Sequence, residues 1–157
     1  MTDTPQFLYE RLLSEAEKTL GFFERLPEES WQRVIYTEGA HWTVRQVLAH
    51  FAASEDSIHR LIQNILAGGR GTPEDFNLDA YNERKVAALN EATIAELMQQ
   101  FNANRQKNAR LVMEMSEADL AKTGHHPFLG TASLAEMIKL LYRHNQIHLR
   151  DIRKTLG

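Results

Sequence analysis

The sequence predicts an all-α protein in which four long helices form a bundle, with a long crossover after the second helix. Apolar residues recur three and four positions apart through most of the 157 residues, which is the spacing of a helix with one buried face. The sequence contains no run of four or more strictly alternating apolar and polar residues that would favour a half-buried strand. The length fits one domain spanning residues 1–157, and the composition is that of an ordinary globular protein, with 43% hydrophobic and 25% charged residues.

The first helix is predicted over residues 5–25. Thr4 precedes it as an N-cap, Pro5 suits its first turn, and Pro27 lies just beyond its end. Its apolar positions share one face, namely Phe7, Leu8, Leu12, Ala16, Leu20 and Phe23.

The second helix is predicted to begin after Trp42 and to stop at the glycines of the 68–71 stretch. Thr43 and Gln46 have the spacing of a capping box at its start. The polar stretch 74–90 then forms an irregular or weakly helical crossover.

The third and fourth helices complete the predicted bundle. The third covers residues 93–115, and the fourth runs from Thr131 or Ser133 to Thr155, after a loop that contains the 124–130 stretch. Helices of roughly twenty residues are about 30 Å long. Four of them fit an antiparallel bundle with one longer connection.

Charge and composition exclude several classes of function. The net charge of −3 leaves no basic surplus for a nucleic-acid partner. The chain has no cysteine, so disulfides, thiolate nucleophiles and cysteine-ligated metals are excluded. The N-terminal residues lack the basic and apolar regions of a secretory signal, and no apolar stretch approaches the length of a membrane span. We therefore expect a cytoplasmic protein without a membrane partner.

Two of the seven histidines, His144 and His148, lie four residues apart on the predicted fourth helix. This spacing puts them on the same face, which points toward the bundle interior. His50 lies at the edge of the apolar stripe of the second helix and is the candidate third ligand. Neutral imidazoles so placed can coordinate one divalent ion. His59 lies nine residues after His50 and points the opposite way around that helix.

The alternative is a set of half-buried histidines that bond to backbone carbonyls. Neutral imidazoles buried without partners would cost free energy, so their inward placement favours either a metal ion or a hydrogen-bond network. His41, His125 and His126 lie in predicted loops, from which they could reach many places, and they indicate no particular site.

Three segments of the sequence resemble the DinB-like (DinB/YfiT) superfamily. They are the stretch Trp42–Glu55, the linker Phe76–Asn82 and the closing stretch His144–Gly157, in that order along nearly the whole chain. The resemblance implies an up-up-down-down four-helix bundle that holds one metal ion.

The resemblance also assigns the ligands of that ion, because His50, His144 and His148 match the family's three histidines. The chain departs from the family pattern at two positions. Family members often have an acidic residue where this chain has Gln46, and an aspartate where it has Asn145. Both departures leave the three histidines intact.

A three-histidine site leaves at least one coordination position open, which is typical of a catalytic metal. Nitrogen ligands favour zinc or nickel, with manganese or iron as alternatives. The family resemblance implies a metal-dependent transferase or isomerase that uses a low-molecular-weight thiol as cosubstrate. Hydrolysis of a small molecule is a third reaction that we consider for the same site. The alternative is a non-catalytic bundle that the metal stabilises, with a stress-response or interaction role as a homodimer. The residues assign no catalytic group.

Four further residues are candidates for the surroundings of the metal or for the pocket. Glu55 lies on the inward stripe of the second helix, either paired with a base such as Arg105 or facing a ligand. Asp151 either orients a ligand imidazole or faces solvent. Tyr81 and Asn82 could line the mouth of the site, or they are ordinary turn residues. Trp31 and Trp42 are expected to be packing residues instead.

Overall fold

A computed structural model describes residues 3–157 and contains the four predicted long helices. They are α1 (Pro5–Glu24), α2 (Val44–Leu66), α4 (Ile94–Met113) and α6 (Leu134–Leu156). A short 3-10 helix over Glu28–Gln32 follows α1, and two further short helices, α3 (Leu78–Ala87) and α5 (Glu117–Leu120), lie on either side of α4. Two strands, β1 (Thr123–His126) and β2 (Gly130–Ser133), precede α6. The described chain is thus mostly helical.

Side-chain caps fix where the long helices begin, as the sequence predicts. The Thr4 hydroxyl accepts a hydrogen bond from the backbone N–H of Phe7, which caps α1. Thr43 and Gln46 form the predicted capping box at the start of α2. Ser133 caps α6, so the later of the two predicted starts is the correct one.

The hairpin of β1 and β2 corrects the prediction that the chain has no strand. The two strands pair antiparallel, with Thr123 opposite Ser133 and His126 opposite Gly130. Each strand has only four residues, too few to give a recognisable alternating pattern. Gly130 has φ of +74°, a conformation that glycine adopts without strain.

The crossover after α2 is more ordered than predicted, because it contains the ten-residue helix α3. Asn77 caps this helix by accepting a hydrogen bond from the N–H of Ala80. Val86 is its buried residue, which explains why the 74–90 stretch has a weak helical pattern.

The four long helices run up, down, down and up, which corrects the up-up-down-down order implied by the family resemblance. α1 and α6 are parallel. Near their starts Asp3 pairs with Lys139 at 2.6 Å, and near their ends the Arg153 guanidinium lies over the Phe22 ring.

α2 is parallel to α4 and antiparallel to α6. At the start of α2, Arg45 donates to the carbonyl of Ala92, just before α4 begins. The same end of α2 packs in one apolar cluster with Leu149 and Ile152 near the end of α6. The helix order follows from the single long crossover, because only one consecutive pair of long helices then runs parallel.

The core consists of two apolar clusters with a polar layer between them. The first cluster surrounds the C-terminal ends of α1 and α6 and includes Phe23, Trp31, Trp42, Phe51, Phe101, Leu149 and Ile152. The second lies at the opposite end and includes Leu8, Leu12, Ile62, Val112, Met137 and Ile138. Along α2, α4 and α6, the buried polar residues Glu55, Arg105, Asn108 and Asn145 stand between the two clusters.

Within residues 3–157, no helix combines the length and the apolar character needed to cross a membrane.

Candidate metal centre

Three histidines from α2 and α6 meet at one point. His144 Nε2 lies 3.0 Å from His50 Nε2 and 2.9 Å from His148 Nε2. The candidate ligand atoms of the three side chains all lie within 4.8 Å of one another. The antiparallel pairing of the two helices produces this meeting, because it places the first half of α2 beside the second half of α6. The structure therefore brings together the three residues that the sequence singles out.

The spacing of these nitrogens fits a single divalent cation. Imidazole nitrogens bind zinc at 2.0–2.1 Å, so two of them on a tetrahedral ion stand about 3.3 Å apart. The observed separations are a few tenths of an ångström shorter, a difference that small side-chain rotations remove. The donor set of three nitrogens suits zinc or nickel.

The surroundings of His148 fix the tautomer that a metal requires. Tyr36 Oη lies 2.6 Å from His148 Nδ1 and 2.6 Å from Asp151 Oδ2. The tyrosine has one proton, which it donates to the carboxylate, so its oxygen accepts from the Nδ1–H of His148. A neutral His148 then keeps the lone pair of Nε2 free, and this lone pair points at the other two histidines. A carboxylate behind a ligating histidine is a recurrent arrangement in metal sites.

Tyr36 is suited to remain protonated in this chain of hydrogen bonds. Burial raises the pKa of its hydroxyl well above the usual value, and the hydrogen bond to Asp151 raises it further. Asp151 was expected either to orient a ligand imidazole or to face solvent. In the structure it contacts the imidazole of His148 indirectly, through the hydroxyl of Tyr36.

His50 is held on two sides. Its Nδ1 lies 3.3 Å from Ser54 Oγ, one turn further along α2, so the serine can accept the Nδ1–H. The Trp42 indole packs against the ring, with centroids 4.7 Å apart. The indole N–H donates to Glu83 in α3 at 2.7 Å, which fixes the tryptophan in turn. Trp42 is buried in the first cluster, and this packing role agrees with the sequence-based expectation.

The three histidines are uncharged at neutral pH. Burial lowers the pKa of His50 well below its ordinary value, and the neighbouring His144 and His148 lower it further. Burial also lowers the pKa of His144 to about 3 and that of His148 to about 4, although Asp151 acts in the opposite direction on His148. Neutral imidazoles are the form that binds a metal, so the site needs no proton release at pH 7.

A cavity of about 590 Å³ opens beside the histidines. His50 and His144 form part of its wall, together with the hydroxyls of Ser54 and Ser57. Most of the remaining wall is apolar and comes from α2, from α3 and the segment before it, from α6 and from the hairpin, including Ile58, Leu61, Phe76, Phe128, Met137, Leu140 and Ile147. A cavity of this size and character is typical of small-molecule sites.

Tyr81 and Asn82 both lie on this cavity wall, on helix α3 rather than in a turn. The Tyr81 hydroxyl lies 2.7 Å from Ser57 Oγ, so α3 is tied to α2 across the cavity. Their position corresponds to the pocket-lining alternative of the sequence analysis.

Glu55 pairs with Arg105 in the polar layer, which is the first of the two roles that the sequence offered for it. Arg105 Nε donates to Glu55 Oε1 at 2.7 Å, and its Nη2 donates to Asn145 Oδ1 at 2.6 Å. The guanidinium also donates to the carbonyls of Leu12 and Leu141. Arg105, which belongs to α4, thereby ties α1, α2 and α6 together, and its two partners in α6 lie on either side of His144.

Asn108 extends this network to the edge of the bundle. Its amide donates to Glu55 Oε2 at 2.7 Å, and its oxygen lies 2.8 Å from His59 Nδ1. His59 therefore faces away from the three central histidines, as its spacing from His50 predicts. Asn145, where the family often has aspartate, serves this network by accepting from Arg105.

Two residues of the site were not found by sequence reasoning. Tyr36 lies in the segment between the 3-10 helix and α2, which a bridge between Val34 and Thr43 holds in place. No local pattern marks it. His126 was assigned to a loop without a specific role, yet it is 4% exposed and lines the cavity.

His126 has an unusual hydrogen-bond pattern. Its Nδ1 accepts from two backbone N–H groups, whereas its buried Nε2 has no hydrogen-bond partner within the part of the chain that the structure describes. Burial lowers the pKa of the ring to about 4, with His125 as the second cause, so the ring is neutral at pH 7. An unpaired buried N–H costs about 1–3 kcal/mol.

The fold and the site together define a class of protein, a helical bundle with a candidate metal centre of three histidines beside a small-molecule cavity. The sequence itself gives the family. The model of the DinB superfamily matches residues 11–152, and the chain belongs to this superfamily. This membership agrees with the resemblance noted from the sequence.

Two solved structures share the fold. An uncharacterised protein from Escherichia coli UTI89 is 14% identical, with a TM-score of 0.74, over 97% of this chain and 92% of that chain. An uncharacterized protein from Clostridium difficile 630 is 16% identical, with a TM-score of 0.72, over 98% of this chain and 96% of that chain. No curated protein matches the sequence significantly.

Proposed function

We propose that this protein is a metal-dependent enzyme that acts on a small molecule bound in the cavity beside His50, His144 and His148. The reaction class is transfer, isomerisation or hydrolysis, with a low-molecular-weight thiol as the cosubstrate. The observation that carries the proposal is that the three-histidine cluster opens on a cavity of about 590 Å³. A purely structural metal needs no such space.

The histidines supply three neutral nitrogen donors to a divalent cation, with zinc or nickel favoured. When bound, a cation with an open position acidifies water or a thiol, which provides a nucleophile near neutral pH. The protein's own contribution is to hold the imidazoles in the correct tautomer. Tyr36 and Asp151 do this for His148, and Ser54 does it for His50.

The cavity wall supports a substrate with an apolar body. A substrate bound against the apolar side chains of the wall would displace water from them, which would strengthen the polar interactions made beside them. Ser54 supplies a hydroxyl 3.3 Å from His50 Nδ1, and Ser57 and Tyr81 supply two more on the same cavity wall that can position a substrate.

The proposal of a thiol cosubstrate depends on composition. The chain contains no cysteine, so a thiolate would have to arrive with the substrate. The family resemblance favours the same chemistry.

The test begins with protein stripped of metal by a chelator and reloaded with zinc, nickel, manganese or iron. Each form is incubated with a panel of small thiols and electrophiles, and the products are identified by mass spectrometry. We expect turnover with at least one metal, loss of turnover in His50→Ala, and unchanged turnover in the control His41→Ala, because His41 is exposed and outside the cluster.

Absence of turnover with every metal and every pair of reactants would overturn the catalytic proposal. If zinc or nickel then still raised the melting temperature of the wild-type protein but not of His50→Ala, the metal would be structural. The bundle would then have the interaction role given as the alternative above.

A further inference from the structure

We infer that His126 orients the substrate: its Nε2–H donates a hydrogen bond to a carboxylate or other carbonyl oxygen of the molecule bound beside the three histidines. The inference deepens the proposed function and rests on it. It assigns the ligand class as a small compound with an apolar body and an oxygen-bearing head that lies between His126 and the metal position.

The backbone of the hairpin turn fixes the tautomer of His126. The N–H groups of Phe128 and Leu129 point at Nδ1, at 3.0 and 3.2 Å. Both are donors, so Nδ1 carries a lone pair. The hydrogen of the neutral ring is therefore on Nε2, which makes Nε2 an obligatory donor.

The hairpin holds the backbone of His126 in place. β1 pairs with β2 on one side, and on the other side it contacts the segment that follows α2. There His125 N–H donates to the Arg70 carbonyl at 2.9 Å, and Thr72 N–H donates to the His125 carbonyl at 2.8 Å. Gly71 permits this contact, because a Cβ at that position would lie 2.5 Å from the His125 carbonyl oxygen. The strand that carries His126 is therefore held by hydrogen bonds on both of its edges.

His126 lies on the cavity wall, and its Nε2 lacks a protein acceptor in the described part of the chain. His126 is 4% exposed and lines the same cavity as His50 and His144, and its Nε2 meets no hydrogen-bond partner among residues 3–157. Buried polar groups in folded proteins are nearly always paired, so the unpaired Nε2 favours a ligand that supplies the acceptor. Nε2 itself has almost no accessible surface, so an acceptor oxygen in the cavity would reach it after a small displacement of a neighbouring side chain of the wall.

The rest of the wall defines the body of the ligand. Ile58, Leu61, Met137 and Leu140 present apolar surface to the cavity. A chain of several carbon atoms would bury apolar area there, whereas a small polar anion would leave this surface uncovered. A medium-chain carboxylate is therefore a suitable probe.

The first experiment observes the tautomer in the metal-free protein. Two-bond nitrogen–proton correlation spectra of the ¹⁵N-labelled chain distinguish a protonated Nε2 from a protonated Nδ1. We expect His126 to have its proton on Nε2 at pH 7. A proton on Nδ1 would overturn the inference, whether or not the protein proves to be an enzyme.

The second experiment uses two variants, each of which removes the hydrogen-bonding function of one ring nitrogen and keeps that of the other. His126→Asn keeps an acceptor near the Nδ1 position for the two backbone N–H groups and removes the Nε2–H. His126→Gln does the reverse, because its terminal amide reaches the Nε2 position as a donor. Isothermal titration calorimetry measures the binding of hexanoate and of 1-hexanethiol to each variant, loaded with cobalt or metal-free.

We expect His126→Asn to weaken hexanoate binding by at least about tenfold, the effect of one hydrogen bond to a charged group. Binding of 1-hexanethiol, which has no oxygen, should change by less than about threefold. His126→Gln should bind hexanoate more tightly than His126→Asn does. The inference would be overturned if His126→Gln bound hexanoate less tightly than His126→Asn, or if His126→Asn weakened the binding of both probes equally. It would also be overturned if the wild-type protein did not bind hexanoate. Failure to take up cobalt would refute the proposed metal chemistry, and the tautomer and the metal-free titration would still decide the role of His126.

Discussion

Replacing Tyr36 with phenylalanine should weaken metal binding although Tyr36 is not a candidate ligand. The hydroxyl accepts from His148 Nδ1–H and donates to Asp151, at 2.6 Å in both cases. Tyr36→Phe removes both hydrogen bonds and leaves the aromatic ring that packs edge-on against His148. The imidazole then loses the group that sets its tautomer and orientation.

The magnitude follows from what the hydroxyl does. Removing a partner behind a metal-ligating histidine typically costs 10- to 100-fold in metal affinity, or about 1.4–2.7 kcal/mol. The bond to Asp151 involves a charged acceptor and contributes about 1.5–3 kcal/mol when it is well formed. We therefore expect zinc affinity to fall about 10- to 100-fold in Tyr36→Phe.

The assay is a competition titration of metal-free protein with a chromophoric zinc chelator at pH 7. Tyr81→Phe is the matched control, since it removes a hydroxyl bonded to Ser57 at 2.7 Å and leaves the hydrogen bonds of the three histidines intact. The reasoning is wrong if Tyr36→Phe binds zinc within about twofold of the wild type, or if the control loses as much affinity as Tyr36→Phe.

Three further perturbations test the fold around the site. In chelator-treated protein, unfolding exposes His144, and its pKa returns from about 3 to the ordinary 6.5, so the folded state binds fewer protons between these values. The free energy of unfolding should fall by about 2 kcal/mol for this residue between pH 7 and pH 5, and urea titrations that give equal values would contradict this. Arg105→Met leaves Glu55 buried without its cation and should cost about 3–5 kcal/mol in urea unfolding, part of which the second change Glu55→Gln should restore. Gly71→Ala should lower the melting temperature more than Gly39→Ala, because both have positive φ but a Cβ at Gly39 meets nothing within 4 Å; equal effects would show that the hairpin contact is unimportant.

The sequence predicted those parts of the structure that depend on regular periodicity. The four long helices and the caps at Thr4 and Thr43 follow from spacing of about 3.6 residues and from local cap chemistry. Spacing made His50 only a candidate ligand, and the family resemblance assigned it to the α6 pair that it meets in the structure. The hairpin was missed because its strands have four residues each and are held by pairing with a distant segment. Local sequence cannot report such a contact.

The rest of the site depends on the same kind of long-range contact. Tyr36 reaches His148 from a segment 112 residues away in the chain, and only the parallel arrangement of α1 and α6 brings that segment to the end of α6. The helix order was predicted wrongly because it was taken from the family resemblance. The single long crossover predicted after the second helix implies by itself that α2 and α4 run parallel and that the other consecutive long helices run antiparallel.

The polar layer links the stability of the bundle to the geometry of the candidate metal centre. Arg105 donates to the Leu141 carbonyl and to Asn145, which lie on either side of His144 in α6, and it holds Glu55, five residues after His50 in α2. The same guanidinium thus connects the two helices that carry the three histidines. Replacing the pair with apolar residues could preserve the fold, because buried ion pairs contribute little net stability. It would remove the polar contacts that set the register of α2 against α6. We therefore expect the free energy of metal binding to fall by more than the free energy of unfolding in such a variant.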